Sequence, residues 1–531
     1  MHTLLTNEPG KKLLLLGNEA IVRGALEAGM AVSAAYPGTP SSEIGNNLFM
    51  LNQEPEADIY FEFSTNEKVA MEVAASASAA GLRSLTCMKH VGMNVAADVL
   101  MTLAYIGTKG GMVIVTADDP SMHSSQNEQD NRLYAKLANL PMLEPSSPQE
   151  AKEMTIYAFE LSEALELPVI IRTTTRTSHI RGPVELGPLP KEKKTRGKFE
   201  KDPRRWVPVP AVARIRHKVL LECLSKAADE AERSPFNQIN GSGKTGIVAS
   251  GVAACYVSDA IKELGCEDKV SFLRLGFTYP APKKLLLDFL KGVQEVLVIE
   301  ELEPFQEDTL KILAHEEGLS VKIYGKATGD LPRLYEFTPL QVRKAVAKLL
   351  DIELNQPEMA DLSSLPQLPM RPPTLCKGCP HRETYNNVKE ALKELGMEEN
   401  AIYPTDIGCY TLGLLPPIQM ADYLLCMGSS VGSSTGFSIS TDHKIVSFIG
   451  DSTFFHSGIS SLANAIHNKQ KFCLVIMDNS TTAMTGHQPN PGIELTPPGY
   501  DHPRIAIEDV VKGLGVKNIV KINPYKREES V

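Results

Sequence analysis

Residues 445–488 read IVSFIGDSTFFHSGISSLANAIHNKQKFCLVIMDNSTTAMTGHQ, and this stretch decides the fold. Two apolar runs, 445–449 and 472–477, have the length and branching of buried parallel strands. Each ends on a polar turn, Gly450-Asp451-Ser452 after the first and Asp478-Asn479-Ser480-Thr481 after the second. Between them a helical stretch places Ile459, Leu462, Ala463 and Ile466 on one face. The pattern is a βαβ unit whose polar turns stand at the carboxyl ends of neighbouring strands, where open α/β sheets bind ligands.

The residue types at those turns suit a metal-bound phosphate. Gly450 lets the backbone approach a bulky group, and Asp451 offers a carboxylate oxygen. Asn479 offers an amide oxygen, and the Thr481 carbonyl can face the same point. Three such oxygens, completed by phosphate oxygens and water, make an octahedral Mg²⁺ shell. The plainer reading is a strand-end turn with a capping aspartate, so the motif needs support from elsewhere in the chain.

The chain is 531 residues long, enough for three or four domains. Its 43% apolar and 22% charged content is that of a globular protein, and its net charge of −10 argues against nucleic acid as a main partner. No apolar run reaches the length of a membrane span. The run 13–16 is too short for a signal-peptide core and reads as a first strand. Nine scattered cysteines fit a reducing cytoplasm better than a disulfide framework.

Strand–helix alternation fills residues 1–182. Strands are expected at 13–16, 31–35, 59–63, 112–115 and 168–171, and helices near 20–28 and 67–81. The turn 36–42, YPGTPSS, follows a strand and supplies Ser41 or Ser42 to cap the next helix. Residues 183–241, rich in proline, lysine and arginine toward their start, read as a linker or wrapping arm. A second α/β domain is expected over 242–350, a proline-rich linker over 351–375, and a third α/β domain over 376–531. Gly243-Lys244-Thr245 imitates the end of a phosphate loop, but Gln238 stands where its first glycine belongs, and a strand rather than a helix follows.

Two further constellations carry chemistry. Glu67 opens an Ala-rich helix directly after a strand. There it can simply satisfy the helix dipole, or it can be a buried carboxylate serving a ligand. Cys376 and Cys379 form a CxxC motif at the start of the third domain, and Cys409 follows in Asp406-Ile407-Gly408-Cys409. Zinc, a redox dithiol and an iron–sulfur cluster all remain open for these thiols. Zinc would want a second knuckle, thioredoxin chemistry a preceding strand, and a cubane a fourth thiolate. Cys426 and Cys473 lie in apolar runs and are expected in the core, while His123, His456 and His487 lie in loops that could border a site.

Together, YPGTPSSEI (36–44), the stretch 64–100, CKGCPHR (376–382), TDIGCY (405–410) and GDSTFFHSGI (450–459) carry a family resemblance over nearly the whole chain. The sequence resembles the 2-oxoacid:ferredoxin oxidoreductases, and within them the alpha subunits of the indolepyruvate branch. The resemblance implies an α/β fold of three tandem parallel-sheet domains of the thiamine-diphosphate-binding type: pyrimidine-binding, transketolase-C-like and diphosphate-binding. GDST in place of the usual GDG is characteristic of that branch, which accounts for Ser452. It implies thiamine diphosphate and Mg²⁺ held by Gly450, Asp451, Ser452, Asn479 and the Thr481 carbonyl. Glu67 matches the cofactor-activating glutamate, and Thr39 matches a residue beside the substrate. Cys376, Cys379 and Cys409 match three ligands of a 4Fe-4S cluster.

The implied activity is oxidative decarboxylation of aryl 2-oxo acids to aryl-acyl coenzyme A, with electrons passed to ferredoxin. A separate beta (gamma-type) subunit and a hetero-oligomer are implied as well. Alpha subunits of this kind continue into a ferredoxin-like domain, so a chain ending at Val531 is expected to be a piece of a longer one. Two rival readings stand beside this one: a non-oxidative thiamine enzyme, such as a 2-oxoacid decarboxylase or acetohydroxyacid synthase, and a catalytically inactive complex subunit.

Overall fold

The computed structural model describes residues 2–191, 194–354, 366–369, 371–493 and 502–531. They fall into two compact units, 1–359 and 360–531. Residues 192–193 of the expected arm, and residues 355–365 and 370 of the expected second linker, lie outside the described residues.

The first unit is built on a seven-stranded sheet. Its spatial order is Phe277–Tyr279, Met142–Leu143, Val169–Thr174, Met112–Asp118, Ser84–Lys89, Val32–Ala35 and Tyr60–Phe63. All neighbours pair in parallel except Phe277–Tyr279, which runs antiparallel to Met142–Leu143. Ser84–Lys89 and the helix His90–Ile106 after it are additions to the expected list. All six residues of that strand are buried, although Ser84 and Thr86 dilute its apolar signal.

The chain leaves Val32–Ala35 toward the Tyr60–Phe63 edge but leaves Ser84–Lys89 toward Met112–Asp118 on the other side. Connections thus diverge between two adjacent strands, which opens a crevice at their carboxyl ends.

The expected first strand does form, as Lys12–Leu16, but outside this sheet. It pairs antiparallel with Arg181–Glu185 in a two-stranded ribbon. Lys12 and Leu14 are exposed and Leu15 is buried, so this strand offers only one apolar face and cannot sit within a two-faced parallel sheet.

The stretch 183–241 is not mainly a linker. Pro210–Arg233 is a helix that buries Leu220, Cys223, Ala227 and Ala231 along one stripe, and Asn237–Asn240 is a strand. Basic residues just before the helix are pinned to the body: Arg205 donates to the carbonyls of Ile106 and Thr108 and lies over the Trp206 ring.

A second, five-stranded sheet has the order Lys322–Tyr324, Glu295–Ile299, Thr245–Ser250, Val270–Leu275 and Asn237–Asn240, the last antiparallel. The two sheets interlock through Arg132, which is fully buried at the start of the helix Arg132–Ala138. It donates to Asp130, to Glu300 at 2.6 Å and to the carbonyls of Glu301 and Glu303 at 2.8 Å, with its guanidinium over the Phe305 ring.

In the second unit the strands Ala401–Ile402, Lys444–Gly450 and Cys473–Met477 pair in parallel. Gly450 stands opposite Met477, so Asp451 and Asp478-Asn479 emerge side by side from the sheet. Between the two longer strands the chain forms a short helix Asp451–Thr453, a π turn Phe454–Gly458 and the helix Ile459–His467. Cys473–Met477 is only half-buried, and Cys473 at its start is exposed, as is Cys426 in the loop before the helix Ser429–Ser440. Both had been expected in the core. One thiol lies at the start of an edge strand and the other in a loop beside exposed Leu425, so neither run is enclosed on both faces. Among the described residues no helix is long and apolar enough to cross a membrane.

Candidate cofactor site

The register of the two long strands builds the diphosphate-type cradle. Asp451 is 2% exposed, and Asn490 Nδ2 donates to its Oδ2 at 2.9 Å. With its nitrogen turned inward, the Asn479 amide donates to the Thr481 carbonyl at 2.9 Å and to Asp451 Oδ1 at 3.1 Å. A half-turn of that amide sets its oxygen at these same two separations from the other oxygens. An octahedral ion with oxygen ligands at about 2.1 Å has ligand–ligand edges of about 3 Å. Both separations match that edge, so the donor set fits Mg²⁺.

Burial pushes the Asp451 carboxyl up to about 6; the Asn490 hydrogen bond opposes this and the nearby Asp478 charge adds to it. A cation at the cradle would reverse that shift. Ser452 is buried beside the cradle and its hydroxyl accepts from Thr482 at 2.9 Å. The loop then closes on itself through Thr482 and Gln488 before Asn490 returns to Asp451.

Gly450 is needed for a close approach, but the bulky group is Tyr410. A side chain at Gly450 would overlap that ring, and so would one at Gly408. The Tyr410 hydroxyl donates to the Ile407 carbonyl at 2.9 Å and lies 3.0 Å from Thr453 Oγ1. Tyr410 thus joins the loop carrying Cys409 to the turn carrying Asp451. Spacing alone pointed to neither Tyr410 nor Asn490.

The three cysteines share a neighbourhood. Burial raises the Cys409 thiol, and the charges of Cys379 and Cys376 raise it further. His381, in the first turn of the helix Pro380–Glu394 that follows Cys379, is buried, meets Tyr410 edge-on at 5.8 Å, and is pushed down to about 4 by burial, so it is neutral at physiological pH. Among the described residues no three His, Cys, Asp or Glu side chains close on a single metal ion.

The first unit gathers its own candidates at the carboxyl edge of the seven-stranded sheet. Glu67 is 5% exposed and begins the helix Glu67–Ala79, whose first turn is capped by the Asn66 side chain. Its carboxylate lies against Gly92, where a Cβ would come within 2.6 Å of Glu67 Oε1. The space for that carboxylate is thus made by the helix His90–Ile106. Thr39 is half-buried in the turn after Val32–Ala35. The turn is held by Asn18, which donates to the Pro40 carbonyl and to Glu43 at 2.7 Å. Ser41 does not cap the helix Ser42–Leu51 through its side chain; its hydroxyl donates back to Gly38.

The three loop histidines differ. His456 is buried in the π turn with Nδ1 2.8 Å from Ser457 Oγ, His487 is exposed, and His123 is half-exposed 3.3 Å from Glu336.

The chain is similar to known thiamine-diphosphate-type proteins over most of its length. The family model for the thiamine-diphosphate-binding domain of pyruvate flavodoxin/ferredoxin oxidoreductases matches residues 23–229. The model for the C-terminal binding domain of thiamine pyrophosphate enzymes matches residues 406–531. The indolepyruvate oxidoreductase subunit IorA of Methanothermobacter marburgensis is 53% identical, over 98% of this chain and 84% of its own. The chain belongs to the IorA family of 2-oxoacid oxidoreductases. Its members include IorA of Thermococcus kodakarensis, 50% identical over 98% of this chain and 83% of its own. IorA of Archaeoglobus fulgidus is 45% identical over the full length of this chain and 85% of its own. The fold is also that of a 2-oxoglutarate:ferredoxin oxidoreductase from Magnetococcus marinus, with a TM-score of 0.51 at 16% identity, over 64% of this chain and 65% of that one.

Proposed function

We propose that this chain is the thiamine-diphosphate-binding subunit of an enzyme that oxidatively decarboxylates aryl 2-oxo acids of the indolepyruvate type. The acyl group passes to coenzyme A and the electrons to ferredoxin. The observation that carries the reading is the cradle of Asp451, Asn479 and the Thr481 carbonyl, in which the inward end of the Asn479 amide stands 2.9 Å from the Thr481 carbonyl oxygen and 3.1 Å from Asp451 Oδ1, the edge length of an octahedral Mg²⁺ shell. Membership of the IorA family supports the substrate class.

Bound thiamine diphosphate supplies the electron sink that decarboxylation of a 2-oxo acid requires. Asp451, Asn479 and the Thr481 carbonyl hold Mg²⁺ and through it the diphosphate, with Gly450 and Ser452 shaping the turn. The Glu67 carboxylate, confined against Gly92, would be the group that holds a proton for the cofactor's aminopyrimidine. Thr39 borders the substrate. Cys376, Cys379 and Cys409 supply three ligands to a 4Fe-4S cluster, and Tyr410 ties the Cys409 loop to the Asp451 turn. A separate beta subunit completes a hetero-oligomer. Nine unpaired cysteines support a cytoplasmic location.

The test uses the chain co-expressed with its partner subunit and handled anaerobically. Reduction of a viologen dye on addition of indolepyruvate and coenzyme A is expected. Loss of thiamine diphosphate binding is expected in Asp451→Ala. A complex that binds the cofactor and shows iron–sulfur EPR signals yet reduces no dye would overturn the reading.

A further inference from the structure

We propose that the Lys89 ammonium seats the carboxylate of the substrate, an inference that rests on the 2-oxo acid reading above. Lys89 is the last residue of Ser84–Lys89, the strand beside Val32–Ala35, and it ends at the crevice where the connections diverge. The turn bearing Thr39 lies directly on its stem: a Cβ at Gly38 would sit 2.9 Å from Lys89 Cβ.

Lys89 is 9% exposed, and its Nζ donates to the Ser124 carbonyl and, at 3.3 Å, to Ser124 Oγ. An ammonium has three N–H donors, and among the described residues the third has no acceptor. Ser124 Oγ in turn donates to the Thr39 carbonyl at 3.3 Å, so Lys89, Ser124 and Thr39 form one connected polar wall.

The missing partner is a carboxylate. Arg23, Arg132, Arg172 and Lys152, all buried in the same unit, each lie within 3.2 Å of a carboxylate oxygen. Lys89 makes no ion pair within 4 Å among the described residues; Asp119 and Glu67 reach it only as more distant charges. Lys326 also lacks an ion pair, but its ammonium lies over the Phe337 ring, 4.7 Å from the centroid. Burial pushes the Lys89 ammonium down to about 8, which leaves it charged at neutral pH but poorly compensated. A guest carboxylate in reach of the free N–H makes a charge-assisted hydrogen bond and supplies the direct ion-pair partner that Asp119, held through Ser124, and Glu67 do not. A 2-oxo acid brings that group together with a keto carbon, and the seat beside Thr39 orients the one while leaving the other free.

The experiment compares wild type, Lys89→Met and Lys89→Arg in the complex with the partner subunit, loaded with thiamine diphosphate and Mg²⁺. Calorimetry measures binding of phenyllactate, a non-reacting carboxylate, and of phenylacetaldehyde, which lacks one. Steady-state assays with phenylpyruvate separate KM from kcat. Lys89→Met is expected to weaken phenyllactate at least tenfold and to raise the phenylpyruvate KM by a similar factor. It should leave phenylacetaldehyde binding, thiamine diphosphate binding and the melting temperature near wild type, and Lys89→Arg should recover most of the loss. Unchanged phenyllactate affinity in Lys89→Met overturns the inference. So does an equal loss for both probes, which would make Lys89 a prop for the Ser124 loop. If wild type itself binds no thiamine diphosphate, the cofactor reading fails first and takes this inference with it.

Discussion

The Glu67 carboxylate rests against the bare backbone of Gly92, with room for no side-chain atom between them. A methyl group at 92 must therefore move the carboxylate or the helix His90–Ile106. Gly92→Ala is expected to cost about 1–3 kcal/mol of stability through overpacking. It should lower kcat at least tenfold, while Gly92→Ala combined with Glu67→Ala regains the stability without the activity. Melting curves and steady-state kinetics of the three variants check this.

Gly450 stands in a similar relation to the Tyr410 ring. Gly450→Ala is expected to destabilise by about 1–3 kcal/mol, and trimming the ring with Tyr410→Leu in the same chain should recover part of it. A double-mutant cycle by denaturant unfolding gives the coupling. Additive losses would show that the ring and the glycine do not compete for space.

Asp406 gives a pH dependence whose sign can be worked out. Its carboxylate is fully buried and accepts from the backbone N–H groups of Ile407, Gly428 and Ser430, holding the start of the helix Ser429–Ser440. Burial outweighs those three donors and pushes the carboxyl up to about 6. The native state then holds a proton that the unfolded chain has already released, so this group makes stability fall as pH rises from about 4 to about 6. The loss, of order 2–3 kcal/mol, stays in place above that window. In thermal melts between pH 4.5 and 7, Asp406→Asn is expected to flatten this part of the profile.

Arg132 predicts the size of the link between the two sheets of the first unit. Arg132→Met leaves Asp130 and Glu300 buried without their cation and should cost about 3–5 kcal/mol. Limited proteolysis should then cut between the sheets in the variant and not in wild type.

Much of this was legible in the sequence. The paired strands around Asp451 and Asn479 announce themselves through branched apolar runs that end on Gly, Asp and Asn. Glu67 could be placed because it follows a strand and opens a helix. The roles of Lys89, Tyr410 and Asn490 could not be read, since each depends on a partner far along the chain: Ser124, Gly450 and Asp451. Pairing of Lys12–Leu16 with Arg181–Glu185 is equally invisible to local pattern. The helix Pro210–Arg233 does carry a signal, the stripe Leu220, Cys223, Ala227 and Ala231, but the basic, proline-containing run before it masks that periodicity.

The Asn479 amide gives the cradle two faces. Nitrogen inward, it donates to the Thr481 carbonyl and to Asp451 Oδ1; oxygen inward, it stands beside them as a further acceptor. One side-chain torsion thus decides whether this corner is closed by hydrogen bonds or lined with oxygens alone.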